Sequence, residues 1–164
     1  MSENLLRAIH AHALEMSSIE SRVLDHGETL VGLGFRCWLA GYREGRVDCW
    51  QHCWDLFCRE LGGSNAQLAV RELSNWVNAV RYTGLREIEL LPIECRCFCR
   101  DECLAVTLVA ASEHRACPAL QVCACALLGV GAIGPVMTAA HRFNRTIEAC
   151  GVALEQNLVS RNSH

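Results

Sequence analysis

Large apolar residues recur at helical spacing along most of the chain, and this pattern constrains the fold more than any other feature. It is clearest in residues 46–61, which are followed by two glycines and carry one apolar stripe: Val47, Trp50, Trp54, Phe57 and Leu61. Intervals of three or four residues place such a stripe on one face of an α-helix, which must then pack against other elements. The sequence therefore predicts helix-on-helix packing.

Seven segments have this helical pattern, and short connections separate them. We predict helices over residues 2–26, 29–44, 46–61, 64–81, a stretch that follows Leu91 and runs through a cysteine cluster to His114, 118–128 and 135–154. Residues 86–91 alternate weakly between apolar and charged side chains, as an extended connector does, but no second strand is available to pair with them. At 164 residues the chain is long enough to bury a sizeable core. The pattern predicts an all-α, single-domain bundle of about seven helices over residues 1–164.

The first predicted helix, residues 2–26, has a heptad-like stripe. Its members are Leu5, Ile9, His12, Met16, Ile19 and Val23. Spacings that alternate between four and three suit the packing of two long helices, and the 51% apolar content exceeds what a small monomer needs. We therefore predict a homodimer, with His12 as a core or interface residue rather than a ligand.

Four of the twelve cysteines, Cys95, Cys97, Cys99 and Cys103, lie close together in the middle of the chain. No C-x-x-C occurs, although zinc ribbons, zinc fingers and thioredoxin-like redox sites use that spacing to direct two sulfurs at one ion or bond. The usual ferredoxin spacings are absent too. These absences exclude the commonest thiolate sites.

On a helix, Cys95, Cys99 and Cys103 form a column of thiols because each is four residues from the next. Thiolates that face each other suit Zn²⁺, Cu(I) or an Fe–S cluster, so this column is the candidate metal or redox site. The favoured alternative is packing: the same face continues into Val106 and Ala110, and free cysteine is a small, usually buried residue. We expect the cysteines to fill the core without a cofactor, and metal binding is the second hypothesis.

The charge pattern excludes several classes of ligand. The net charge is −3, and the chain has fifteen arginines and no lysine. This excludes sites that need a Schiff-base lysine or a P-loop lysine. The arginines are scattered, so we expect no nucleic-acid binding, and residues 56–76 are predicted to form a plain helical hairpin rather than a helix-turn-helix. Residues 129–134 match G-x-G-x-x-G, but the thirty residues after them are too few for a dinucleotide-binding sheet.

The sequence contains no evident catalytic constellation. Asp48, His52 and Asp55 share the polar face of one predicted helix, where a carboxylate can orient the imidazole, but a solvated face of mixed charge explains the trio equally well. Neither H-E-x-x-H nor G-x-S-x-G occurs. We predict that the protein is not an enzyme.

Two segments of the sequence bear on where in the cell the protein is located. The N-terminus has neither a basic region nor a long apolar core, so we predict no secretory signal and expect the cysteines to face a reducing, cytoplasmic compartment. Residues 116–140 carry no charge, but Pro118, Gln121, Gly129 and Pro135 interrupt them. We predict a buried central helix followed by a glycine-rich break, and no membrane insertion.

Together these patterns predict a cytoplasmic, non-catalytic helical bundle that acts as a binding or regulatory module for a protein partner that the sequence does not identify. The alternative is a thiolate metal-binding or redox protein centred on Cys95, Cys99 and Cys103.

Overall fold

The computed structural model describes residues 24–129, 132–152 and 154. These residues form six α-helices and no strand, which confirms the all-α bundle. The helices are α1 (His26–Glu44), α2 (Val47–Leu61), α3 (Gly63–Thr83), α4 (Arg100–Ala110), α5 (Pro118–Leu128) and α6 (Gly134–Ala149), with a 3-10 turn at Ser112–His114. The helix predicted over residues 2–26, with its stripe and His12, falls outside the described residues except for its last three positions.

The first described helix, α1, begins three residues before its predicted start. Asp25 caps it: Asp25 Oδ1 accepts the backbone N–H of Glu28 at 2.8 Å, and Glu28 Oε1 accepts the N–H of Asp25 at 3.4 Å. This capping box satisfies two amides that a helix start leaves unpaired. Gly27 lies in the first turn of α1.

The second and third helices form the plain hairpin predicted for residues 56–76. Gly62 joins α2 to α3 with a φ of 84°, a backbone conformation that residues with a side chain rarely adopt. The two helices pack against each other, and α2 also packs against α1.

The core contains an aromatic stack centred on Trp76 of α3, which is fully buried. The Trp76 ring lies 5.1 Å from the ring of Phe35 in α1 and 5.7 Å from the ring of Phe143 in α6, measured between centroids. Three helices that are distant in sequence therefore meet at one side chain.

The central helix of the bundle is α4, whereas the sequence predicted that α5 would take this place. Every residue from Asp101 to Ala110 is buried, and α4 contacts α1, α5 and α6. In α5, by contrast, Pro118, Ala119 and Gln121 are exposed. The prediction was wrong because it followed the longest uncharged run, while the helix that is buried carries two acidic residues in its first turn.

No helix in the described ranges combines the length and the apolar character that a bilayer span requires. The apolar helix α5 has 11 residues, whereas a span needs about 20. It ends at Gly129, whose φ is 73°.

The fifth predicted helix is wrong over its first half. Residues 84–99 contain neither helix nor strand, and α4 begins only at Arg100, after Cys99 as its N-cap. At its other end the helix stops at Ala110, and a 3-10 turn follows. Three backbone carbonyls of residues 92–99 bind instead to the side chain of Arg36, which is distant in sequence.

Gly41 lets the α1–α2 hairpin close tightly, because a Cβ at this position would overlap the indole of Trp50. The Trp50 Nε1 donates to the carbonyl of Trp38 at 3.2 Å. We expect Gly41→Ala to displace this ring and to lower the free energy of unfolding by about 1–3 kcal/mol, although alanine is the better helix former. Urea unfolding and near-ultraviolet circular dichroism measure both effects.

Gly63→Ala is the matched control, since nothing lies within 4 Å of a Cβ built there. An unchanged urea midpoint for Gly41→Ala would show that the Trp50 ring is free to move aside.

Candidate functional site

Residues 84–99, here called the anchored segment, are held against the helices by a fully buried arginine. Arg36 of α1 is 0% exposed. Its Nη1 donates to the carbonyls of Pro92 at 3.3 Å and Cys95 at 2.6 Å, and its Nη2 donates to the carbonyl of Cys97 at 2.6 Å. One guanidinium therefore fixes three backbone carbonyls of the segment.

The same arginine forms a two-pronged ion pair with Glu102 of α4. Arg36 Nε lies 2.7 Å from Glu102 Oε1, and Arg36 Nη2 lies 2.8 Å from Oε2, with both side chains 0% exposed. Burial alone would lower the pKa of Arg36, but the hydrogen bonds and the negative charge of Glu102 outweigh it and raise that pKa. The pair is fully desolvated, so each partner needs the other to compensate the cost of its burial.

The carboxylate of Glu102 also binds the anchored segment directly. Its Oε1 accepts the backbone N–H of Leu91 at 3.0 Å, and its Oε2 accepts the N–H of Cys99 at 3.0 Å. Phe98 covers the buried pair, with its ring centroid 4.9 Å from the Arg36 guanidinium carbon. Donors and acceptors from the second half of the segment, Leu91 to Cys99, therefore converge on one ion pair.

A second ion pair holds the beginning of the anchored segment. Arg86 and Asp101 form two bonds, of 3.1 Å and 2.8 Å, and Asp101 Oδ2 accepts the N–H of Glu89 at 2.8 Å. Arg86 Nη1 also donates to the carbonyl of Leu127 at 2.9 Å, at the C-terminal end of α5, where helix carbonyls lack internal partners. This arginine therefore links the segment to both α4 and α5.

Backbone groups of the anchored segment alternate in direction. The N–H groups of Glu89 and Leu91 point to carboxylates at the start of α4, while the carbonyl of Ile88 accepts from Arg43 Nη1 of α1. Alternation with a period of two is what an extended chain produces. The N–H of Ile88 and both backbone groups of Leu90 have no hydrogen-bond partner within the described ranges. On the edge that faces α4, three groups are therefore bound: the N–H and carbonyl of Glu89 and the N–H of Leu91. On the other edge, at Ile88 and Leu90, only the carbonyl of Ile88 is bound.

A groove of about 840 Å³ runs between this segment and the C-terminal part of α1. It is lined by Ala40, Arg43, Glu44, Arg46, Arg86, Glu87, Ile88, Glu89, Leu90, Leu91, Pro92, Ile93 and Glu94. Its volume is in the range of sites that bind small ligands or a few side chains.

The groove carries an excess of unpaired negative charge. Three of its glutamates form no ion pair with any described residue: Glu87, Glu89 and Glu94. Two of its arginines are already paired, Arg46 with Glu44 and Asp48, and Arg86 with Asp101. Only Arg43 remains without a carboxylate partner, since it binds a carbonyl.

The candidate metal residues do not form the predicted column. Cys95 lies in the anchored segment, Cys99 caps α4, and Cys103 is buried within α4. The thiol of Cys99 donates to the carbonyl of Glu89 at 3.2 Å, and burial raises its pKa to about 11. In the part of the chain that the structure describes, no three His, Cys, Asp or Glu side chains are arranged to hold one metal ion.

The acid–base trio considered in the sequence is not connected. Asp48 pairs with Arg46, and Asp55 Oδ1 accepts from the side chain of Gln51 at 2.9 Å. His52 is exposed and forms no hydrogen bond to either aspartate. A solvated face of mixed charge describes this region.

The buried thiols give a direct test of the packing. Cys97 is exposed, whereas Cys37, Cys53 and Cys123 are buried. Burial raises the pKa of Cys37 and of Cys123 to about 11, so about one thiol in a thousand is ionised at pH 8. We expect Cys97 to react first with a disulfide reagent at that pH, and these three to react only on unfolding.

In that experiment Cys97→Ser should abolish the fastest phase, and Cys123→Ser should leave it unchanged. Rapid reaction of a buried thiol in the folded chain would contradict the packing described here.

No protein-family model, curated protein or solved structure matches the chain. Function is therefore inferred from the geometry of the anchored segment and its groove.

In residues 91–103 the sequence drew attention to the thiols, with core packing as the favoured role and metal binding as the second hypothesis. The structure shows in addition that Arg36 and Glu102, which the sequence did not single out, hold backbone groups of this stretch. A signal for this pair was present: Arg36 is the one charged residue between Glu28 and Arg43, within an otherwise apolar helix. A lone charge on such a helix indicates a buried partner of opposite sign.

Proposed function

We propose that the protein is a non-catalytic binding module and that the groove beside the anchored segment is its docking surface. The observation that supports this most directly is the free backbone edge at Ile88 and Leu90, which lies in the wall of the groove. A folded chain satisfies nearly all of its buried backbone groups, so a fixed edge left open beside a groove suits a partner that completes it.

The rigidity of the segment also supports a binding role. Two ion pairs and a further arginine determine its conformation before any partner arrives. A preformed surface loses less conformational entropy on binding than a loop that must first become ordered. A segment that only connected two helices would not need this anchoring, whereas a binding module benefits from it.

The proposal can be tested by selecting random peptides against the immobilised full-length chain. Amide chemical-shift changes caused by the selected peptides should map to residues 86–94 and to the end of α1. The matched control surface is the second groove, of about 510 Å³, which contains Asn65, Leu68 and Arg145. Shifts confined to that groove, or no selectable binder, would contradict the proposal.

We further propose that the module is cytoplasmic and homodimeric. Described cysteines are all free thiols, as a reducing compartment requires. The dimer rests on the stripe in residues 2–26, outside the described residues, and light scattering of the full chain over a range of concentrations tests it. A monomer at every concentration would remove the dimer and leave the docking surface unaffected.

A further inference from the structure

We propose that the partner of the groove is a basic peptide, which binds in extended conformation as a strand added to the backbone edge at Ile88 and Leu90. This inference rests on the docking surface proposed above and specifies what occupies it. Three independent features support it: the free backbone groups, the room beside them, and the unpaired charge.

The backbone edge has the pattern that a β-strand offers to a neighbour. In an extended chain the N–H and C=O of one residue point to the same side, and those of the next residue point to the other. Leu90 has both groups free, so it can exchange two hydrogen bonds with a single residue of an added strand, while the N–H of Ile88 offers a second donor. Strand addition of this kind obtains affinity from the main chain and specificity from side-chain pockets.

The edge is short, which limits the length of the added strand. On one side of Leu90, the carbonyl of Ile88 is already bound to Arg43. On the other side, Pro92 has no N–H, and its carbonyl is bound to Arg36. An added strand can therefore pair over only a few residues, and the rest of the affinity must come from side chains in the groove.

The charge of the groove selects the kind of peptide. Three glutamates without ion pairs, Glu87, Glu89 and Glu94, outnumber the one arginine, Arg43, that lacks a carboxylate partner. Arginine or lysine side chains on an added strand would lie close to these carboxylates, and opposite charges across two strands are favourable.

The same charges argue against a second copy of this chain as the occupant. Pairing two such edges would place Glu87 and Glu89 of one copy near the equivalent glutamates of the other. Like charges opposite each other in a strand pair are destabilising. A basic partner therefore fits the edge better than self-association does.

The first experiment measures fluorescence anisotropy with three labelled hexapeptides in low-salt buffer. One alternates arginine and valine, one alternates glutamate and valine, and the third is the arginine peptide with N-methyl groups on alternate amides. We expect the arginine peptide to bind about tenfold or more tightly than either of the others. Added salt should weaken its binding, because the charges are exposed and screened.

A pair of proline variants tests the backbone edge. Leu90→Pro removes an N–H that the folded chain does not use, and Leu90→Ala is its control, because both variants lose the packing of the Leu90 side chain against the core. The two variants should unfold at similar urea concentrations, and Leu90→Pro should bind the peptide about tenfold more weakly than Leu90→Ala. Leu91→Pro removes the N–H that Glu102 accepts, so it should lower the unfolding midpoint.

A pair of charge variants tests the glutamates without relying on the proline. Glu87→Arg with Glu89→Arg should weaken the arginine peptide about tenfold and strengthen the glutamate peptide. The matched control is Glu113→Arg with Glu148→Arg, which changes net charge equally at exposed positions outside the groove. It should alter affinity by less than about twofold.

The inference is overturned if the N-methylated peptide binds as well as its parent, if the control pair weakens binding as much as the groove pair, or if the glutamate peptide binds best. It is also overturned if the chain dimerises and Leu90→Pro dissociates the dimer. If none of the three peptides binds but random selection yields binders that shift residues 86–94, this inference fails and the proposed function stands. If selection yields none either, both fail.

Discussion

Glu102→Gln is expected to lower the free energy of unfolding by about 3–5 kcal/mol, because it leaves the Arg36 guanidinium buried and without an opposing charge. Glutamine keeps the shape of the side chain, so the loss reports the missing charge and the acceptor oxygen that its NH2 group replaces, and not a cavity. Urea unfolding followed by tryptophan fluorescence measures it. Glu113→Gln, at an exposed position, is the control and should change stability by less than about 0.5 kcal/mol.

Loss of the pair should also release the anchored segment. Arg96 is exposed, and in the Glu102→Gln variant we expect trypsin to cleave after it much faster than in the unmodified chain. Arg36→Lys should behave in the same way, since an ammonium group cannot bridge a carboxylate and three carbonyls in one plane. A Glu102→Gln chain with unchanged stability and unchanged cleavage would show that the pair does not hold the segment.

Trp76→Ala is expected to lower the free energy of unfolding by about 3–5 kcal/mol. The ring is fully buried between Phe35 and Phe143, so its removal leaves a cavity where three helices meet. Tyr82→Ala is the matched aromatic control, because Tyr82 is 84% exposed. Thermal and urea unfolding of the two variants should differ clearly in midpoint.

Trp76→Phe separates the cavity from the polar atom. The Trp76 Nε1 is buried and has no hydrogen-bond partner among the described residues. Replacing an unpaired donor by an apolar ring recovers part of the cost of its burial, so we expect Trp76→Phe to be much milder than Trp76→Ala. Equal destabilisation by both would indicate that the indole N–H has a partner.

Local pattern was sufficient for most helices. The stripe from Val47 to Leu61 and the proline at the first position of α5 place the second and fifth helices within about two residues of their observed ends. Such elements are specified by neighbours three or four positions apart, which a sequence displays directly. The end of α2 before a glycine could also be predicted from the sequence.

The anchored segment could not be predicted in this way, because the decisive contacts are not local. Arg36 and Glu102 are 66 positions apart, and the carbonyls that Arg36 binds are 56 to 61 positions away. The helical spacing of Cys95, Cys99 and Cys103 is a genuine local signal for a helix. In the folded chain, however, the distant guanidinium of Arg36 binds backbone carbonyls of this stretch, and no helix forms before Arg100. Residues 86–91 were correctly predicted as an extended connector without a strand to pair with, and that unpaired edge is now the proposed docking surface.

The distance in sequence between Arg36 and Glu102 has a consequence for the order of folding. Contacts between remote segments form late, since the chain must first lose the entropy of closing a long loop. Before α1 and α4 meet, Arg36 and Arg43 do not hold residues 84–99, so a nascent or partly folded chain lacks the completed edge that we propose as the docking surface. A partner that binds this edge therefore recognises completed molecules only, and by mass action it protects them from unfolding.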